Sequence, residues 1–96
     1  MSELPSFHGV HPPAVVVPEC ARVPWSASVP RAERVRVRSH TCECLSTGYE
    51  LCAAGGLFFV RRIERGRVTP RVMESVWMAM REAEALWLQI LNGLAR

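Results

Sequence analysis

Residues Arg34 to Arg62 read RVRVRSHTCECLSTGYELCAAGGLFFVRR, and they hold three of the four cysteines and five of the twelve arginines. From Arg34 to Cys44 two kinds of side chain alternate. Val35, Val37, Ser39, Thr41 and Glu43 fall on one side, and Arg36, Arg38, His40, Cys42 and Cys44 on the other. A period of two is that of a β-strand. Leu45-Ser46-Thr47-Gly48-Tyr49 suits a tight turn in which Gly48 takes a positive φ. Leu45 then pairs with Tyr49, and Cys42 stands across from Cys52. A second strand, Tyr49 to Ala53, ends at Gly55-Gly56, a two-residue hairpin turn. The third strand runs from Leu57 to Ile63 and sets Glu50 opposite Arg61.

This register predicts a sheet with two unlike faces. Val35, Val37, Leu51, Ala53, Phe58 and Val60 form the face that meets a helix. The other carries Arg36, Arg38, His40, Cys42, Cys44, Glu50, Cys52, Phe59 and Arg61. A one-residue slip at either turn would exchange the two sets.

Outward from this stretch the chain changes character. Residues 1–33 contain six of the seven prolines and read as an extended, proline-rich arm. Thr69-Pro70 looks like a helix start, with Thr as cap and Pro at the first helical position, and nothing breaks a helix before Asn92 and Gly93. On that helix Val72, Met73, Val76, Trp77, Met80, Ala83, Leu86, Trp87, Leu88, Ile90, Leu91 and Leu94 fill an arc of roughly 200°. A three-stranded sheet covers about one helix face. The excess predicts a second surface, supplied most simply by another copy of the helix in a two-fold dimer. The expected fold is therefore α+β: an arm over 1–33, then a single βββα domain over 34–96, a three-stranded antiparallel meander packed against one long C-terminal helix.

Ninety-six residues with a hydrophobic fraction of 49% make one small domain and exclude a disordered chain. No apolar run approaches ~18 residues, so no membrane span is expected. The opening MSELPSFHGV has neither the basic nor the apolar region of a secretory signal, which makes the cytoplasm the expected location. Every basic residue other than histidine is Arg, and Asp is absent. That bias fits the GC-rich genome of a bacterium, so arginine as such is no evidence of selection for its chemistry. The net charge is +3, yet nine of the twelve arginines lie between Arg31 and Arg71, against four glutamates.

Three constellations bear on function. The first is the helix, on which Val76, Trp77, Met80, Trp87 and Leu91 are the expected contacts with a second copy or a partner protein. Glu84 falls inside the apolar arc and needs a cationic partner or a binding role. The second is His40, Cys42, Cys44 and Cys52, four candidate ligands for one Zn²⁺. Alternate residues on a flat strand stand ~6.5 Å apart or more, while zinc draws its sulfurs within ~4 Å of each other, so such a site needs a bulge or strand end at Cys44. Over about eleven residues the Cys42-x-Cys44 pair resembles the opening of SWIM-type zinc fingers, which implies zinc, although the closing C-x-H is replaced here by Cys52-Ala53-Ala54. A Cys42–Cys52 disulfide and simple packing of the thiols are the alternatives.

The third constellation is a basic stripe of Arg34, Arg36, Arg38 and Arg61, suited to phosphates. A three-stranded sheet backed by one helix is similar in outline to the AP2 and integrase arm-binding domains, which implies DNA contact through the sheet. Catalytic signals are poor. Gly55-Gly56 lacks the Lys and Ser/Thr of a phosphate loop, and a chain without Asp has no Ser-His-Asp set. The expectation is a non-catalytic interaction or regulatory module, needing no cofactor and no small-molecule substrate, that dimerises or binds a protein through its C-terminal helix. The alternative is a nucleic-acid binder, with zinc as a stabiliser.

Overall fold

The structure, a computed structural model, describes residues 20–28, 34–42, 44–66 and 68–96. Most of the predicted arm therefore lies outside the described residues. These hold five strands and one helix: β1 Ser26–Ala27, β2 Arg36–His40, β3 Thr47–Ala54, β4 Leu57–Glu64, β5 Arg71–Glu74 and α1 Met80–Leu91. The strands form one antiparallel sheet in the order β1-β5-β4-β3-β2. The expected three-stranded meander with a long helix is thus corrected to a five-stranded sheet with a short one.

The centre of the sheet follows from local sequence. Ala54 pairs with Leu57 across Gly55 and Gly56, whose φ values of 58° and 82° are those of a primed hairpin turn. A two-residue turn fixes the register of both strands, so Glu50 stands opposite Arg61 and Cys52 opposite Phe59. The first hairpin differs from expectation. Gly48 has no positive φ and lies inside β3. Thr41, rather than Leu45, partners Tyr49: its N–H donates to the Tyr49 carbonyl at 2.9 Å, and its hydroxyl accepts the Tyr49 N–H at 3.0 Å. A Cβ at Gly48 would press on the Arg65 guanidinium, the movable end of a side chain that donates to the Leu45 carbonyl at 3.0 Å.

A bulge at Arg38 then inverts part of the first strand. Val37 pairs with Cys52 and Ser39 with Leu51, with the irregularity between them. Val35 and Val37 therefore leave the helix face predicted for them. Val35 packs instead with Cys52, Ala54, Phe59 and Trp77 on the opposite face.

The largest correction concerns residues 70–79. Pro70 opens no helix; the chain from Arg71 runs along the free edge of β4. Arg61 pairs with Glu74 and Phe58 with Met78, so three steps on β4 match four on its neighbour. Ser75 absorbs the mismatch: its N–H donates to the Val60 carbonyl at 2.8 Å, and its hydroxyl accepts the Val60 N–H at 2.9 Å. An eight-residue strand with apolar residues on both faces cannot leave its edge open at low cost. Satisfying that edge outweighs the helical period of Val72, Met73, Val76 and Trp77.

The helix begins at Met80, where the Glu82 carboxylate accepts the Ala79 N–H at 3.4 Å. It ends in a Schellman turn: Gly93 N–H donates to Ile90 and Leu94 N–H to Gln89, with Gly93 at φ 75°. Ala83, Trp87 and Ile90 bury against Tyr49, Leu51 and Val60. The tail pairs with the last part of the arm, Ala21 N–H donating to Leu94 and Arg96 N–H to Ala21. No described helix is long and apolar enough to cross a membrane.

Candidate functional site: an arginine-lined sheet edge and a cysteine loop

β2 is an outer strand of the sheet, and it carries arginine at Arg36 and Arg38 directly after Arg34. The bulge and the Gly55-Gly56 turn determine where these side chains go. Arg36 lies across from Ala53, and the small residues Ala53, Ala54, Gly55 and Gly56 leave room beside it. Arg34, Arg36 and Arg38 together line one open concavity of about 330 Å³ floored by those four residues. All three arginines are exposed, and none forms a hydrogen bond or ion pair with a described residue. Among the described residues no carboxylate pairs with them, and each guanidinium offers five N–H donors. Such a site can take a phosphate, sulfate or carboxylate. It has no nucleophile and no general base among its lining residues.

Arg61, the fourth member of the predicted stripe, is not part of this group. Its guanidinium pairs with Glu50 at 3.0 Å, stands 5.8 Å from the Phe59 ring centre, and faces Glu74 across β5. Arg62, its neighbour, bonds to Glu64 and to the Tyr49 hydroxyl. Burial works against the charge of Arg62, but those two partners outweigh it and hold the guanidinium above its ordinary range. Sequence reasoning identified the arginines by type. It read Gly55-Gly56 as a turn and missed it as the floor of a concavity. The signal for that role is the run of four small residues at one sheet end.

The four predicted metal ligands are divided. Cys42 and Cys44 come together, their sulfurs 2.7 Å apart, because the chain turns after Cys42 and Leu45 N–H closes back on the Cys42 carbonyl. His40 turns its Nδ1 to the Thr41 carbonyl at 2.8 Å. Cys52 is buried beside Phe59 on the sheet, and Val37 rather than Cys42 is its cross-strand partner. All four cysteines of the chain are thiols, so no Cys42–Cys52 disulfide is formed. Among the described residues no group of three or more His, Cys, Asp or Glu is placed to hold a metal ion. Burial pushes the Cys52 thiol up to about 11. The hydrogen bond to Cys42 raises that of Cys44, with Arg65 acting in the opposite direction.

The predicted helix contacts also separate. Trp87 lies in the core and Leu91 packs against it. Val76 and Trp77 precede the helix, and Trp77 stacks on Phe59 on the other side of the sheet at 4.6 Å. Glu84 is exposed, so water solvates the carboxylate expected to lie in an apolar arc. Val76 and Met80 remain on the surface, 60% and 51% exposed, with Leu88 at 58%. No family model matches the chain, and no curated protein and no solved structure matches it.

Proposed function

We propose that this chain is a small non-catalytic binding module that holds the phosphate backbone of a nucleic acid along the β2 edge. The observation that carries this reading is the concavity lined by Arg34, Arg36 and Arg38, three exposed guanidinium groups with no described counter-ion. Arginines on an edge strand also protect a sheet from edge-to-edge association. Protection alone needs charge but no shared cavity.

The two roles separate by experiment. A labelled single-stranded oligonucleotide should bind the full chain with an affinity that falls steeply as salt is raised, because phosphate contacts release counter-ions. Arg36→Ala with Arg38→Ala should weaken binding roughly tenfold and flatten the salt dependence. Arg71→Ala, exposed on β5 away from the concavity, should change little. Binding that ignores salt, or that Arg71→Ala weakens equally, would remove the reading.

A second reading places a partner protein or another copy of the chain on Val76, before the helix, and Met80 and Leu88, at its first residue and in its second half, all exposed apolar residues. Here Met80→Glu with Leu88→Glu should convert a dimer into a monomer in light scattering. A wild-type chain that is already monomeric at high concentration rules out self-association through this surface.

A further inference from the structure

We propose that Cys42 and Cys44 form a thiol–disulfide exchange site, which a small-molecule disulfide closes into an intrachain Cys42–Cys44 bridge. The proposal is independent of the nucleic-acid reading. It rests on the placement of the two sulfurs and on the asymmetry between them.

The sulfurs lie 2.7 Å apart. A bonded pair sits at about 2.05 Å, and two sulfurs sharing a tetrahedral zinc stand near ~3.8 Å given Zn–S bonds of about 2.3 Å. The two thiols are thus in direct contact. Residues two apart on an extended strand are too far from each other for such contact. The turn after Cys42 brings them together, held by Leu45 N–H on the Cys42 carbonyl and by Arg65 Nη1 on the Leu45 carbonyl.

The two cysteines have unlike surroundings. Cys44 is exposed, whereas Cys42 has no accessible surface. The Cys44 backbone N–H donates to the Cys42 sulfur at 3.4 Å, an interaction that grows stronger when that sulfur is negative. Cys44 is thus the group that meets an external disulfide, and Cys42 is the group that resolves the product. The hydrogen bond to Cys42 raises the Cys44 thiol, and the Arg65 guanidinium beside the same loop opposes part of that rise.

The chemistry balances with the small-molecule disulfide RSSR as oxidant. Cys44 loses its proton and attacks one sulfur of RSSR. The S–S bond breaks and RS⁻ leaves, taking up a proton as RSH. Cys42 loses its proton and attacks Cys44 Sγ in the mixed disulfide, expelling the second RS⁻, which is protonated in turn. Two cysteine thiols are oxidised to one disulfide, and RSSR is reduced to two RSH.

The test uses the full wild-type chain with oxidised and reduced glutathione in varied ratio. Remaining thiols are blocked with one alkylating agent, the disulfides are reduced, and the released thiols are labelled with a second. Fragmentation of the tryptic peptide from Ser39 to Arg61, which contains Cys42, Cys44 and Cys52, reads the labels residue by residue. The expected result is the second label on Cys42 and Cys44 and the first on Cys52, with the intact oxidised chain lighter by two hydrogens. In Cys42→Ser the reaction should stop at a stable glutathione adduct on Cys44. The proposal is overturned if the second label falls on Cys20 or Cys52 paired with either residue. It is equally overturned if both loop cysteines keep the first label at every ratio, or if Cys42→Ser carries no more adduct than the wild type.

Discussion

Trp87→Ala should destabilise the folded chain by about 3–5 kcal/mol, the range for truncating a buried aromatic residue. Trp87 is 7% exposed and packs among Tyr49, Leu51, Val60, Ala83 and Ile90. It is the largest side chain that the helix places on the sheet. The helix has only 12 residues and would be marginal by itself, so its stability comes from this contact. A small domain has a net stability of about 5–15 kcal/mol, so the loss consumes much of it. Thermal unfolding followed by far-UV circular dichroism should show a midpoint lower by more than ~12 °C. The same substitution separates two accounts of this tryptophan. An interface residue would change the oligomeric state and leave the melting of the monomer alone. A variant that melts with the wild type would refute the packing of α1 on β3 and β4.

Phe59→Ala should cost a similar ~3–5 kcal/mol, by a different route. Phe59 is 1% exposed and lies on the sheet face away from the helix, with Cys52, Ala54, Val35 and Trp77 around it. Its ring stacks on Trp77 with planes 3° apart. Trp77 is held in turn by its indole N–H, which donates to Glu74 at 2.9 Å, and the same buried carboxylate accepts from the Ser28 hydroxyl at 3.2 Å. Removing the phenyl ring opens a cavity beside that carboxylate and takes away the surface that orients the indole. The near-UV circular dichroism of the folded variant should change along with its stability. Phe59→Leu, which refills most of the volume but cannot stack, should recover part of the stability and little of the aromatic signal. Unchanged stability in Phe59→Ala would mean that this second apolar cluster contributes nothing to folding.

These two residues show where sequence reading succeeds and where it stops. Phe59 and Val60 alternate on β4, and the Gly55-Gly56 turn sets them against Cys52 and Leu51. The turn, the register and the Glu50–Arg61 pair could all be read in order along the chain. The segment at Arg71–Glu74 could not. Val72, Met73, Val76 and Trp77 satisfy a helical period, and Thr69-Pro70 resembles a helix start. Period and capping are local quantities; the open edge of β4, some ten residues earlier, is not. Trp87 was identified as apolar and helical, but a helix believed to be twice as long left a surplus of apolar surface. Residues 71–74 and Met78 pair with the sheet instead, while Val72, Val76, Met80, Leu88 and Leu94 of the same set stay exposed.

The candidate site divides in the same way. Residue type alone marked Arg34, Arg36, Arg38 and Arg61 as basic, and His40, Cys42, Cys44 and Cys52 as possible ligands. Which of them meet was decided by two irregularities, the bulge at Arg38 and the turn after Cys42. The bulge gathers three arginines around the Gly-Gly turn, while Arg61 spends its charge on Glu50. The turn joins two thiols and leaves His40 and Cys52 apart.

The sequence by itself determined the Gly55-Gly56 hairpin and its register, the helix stop at Gly93 and the basic character of the sheet region. Each depends on residues close together in the chain. The tertiary structure alone decided strands β1 and β5, the inversion of Val35 and Val37, the burial of Trp87 and the grouping of arginines and thiols. Those depend on backbone groups that must find partners across the fold, and no local pattern carries that demand.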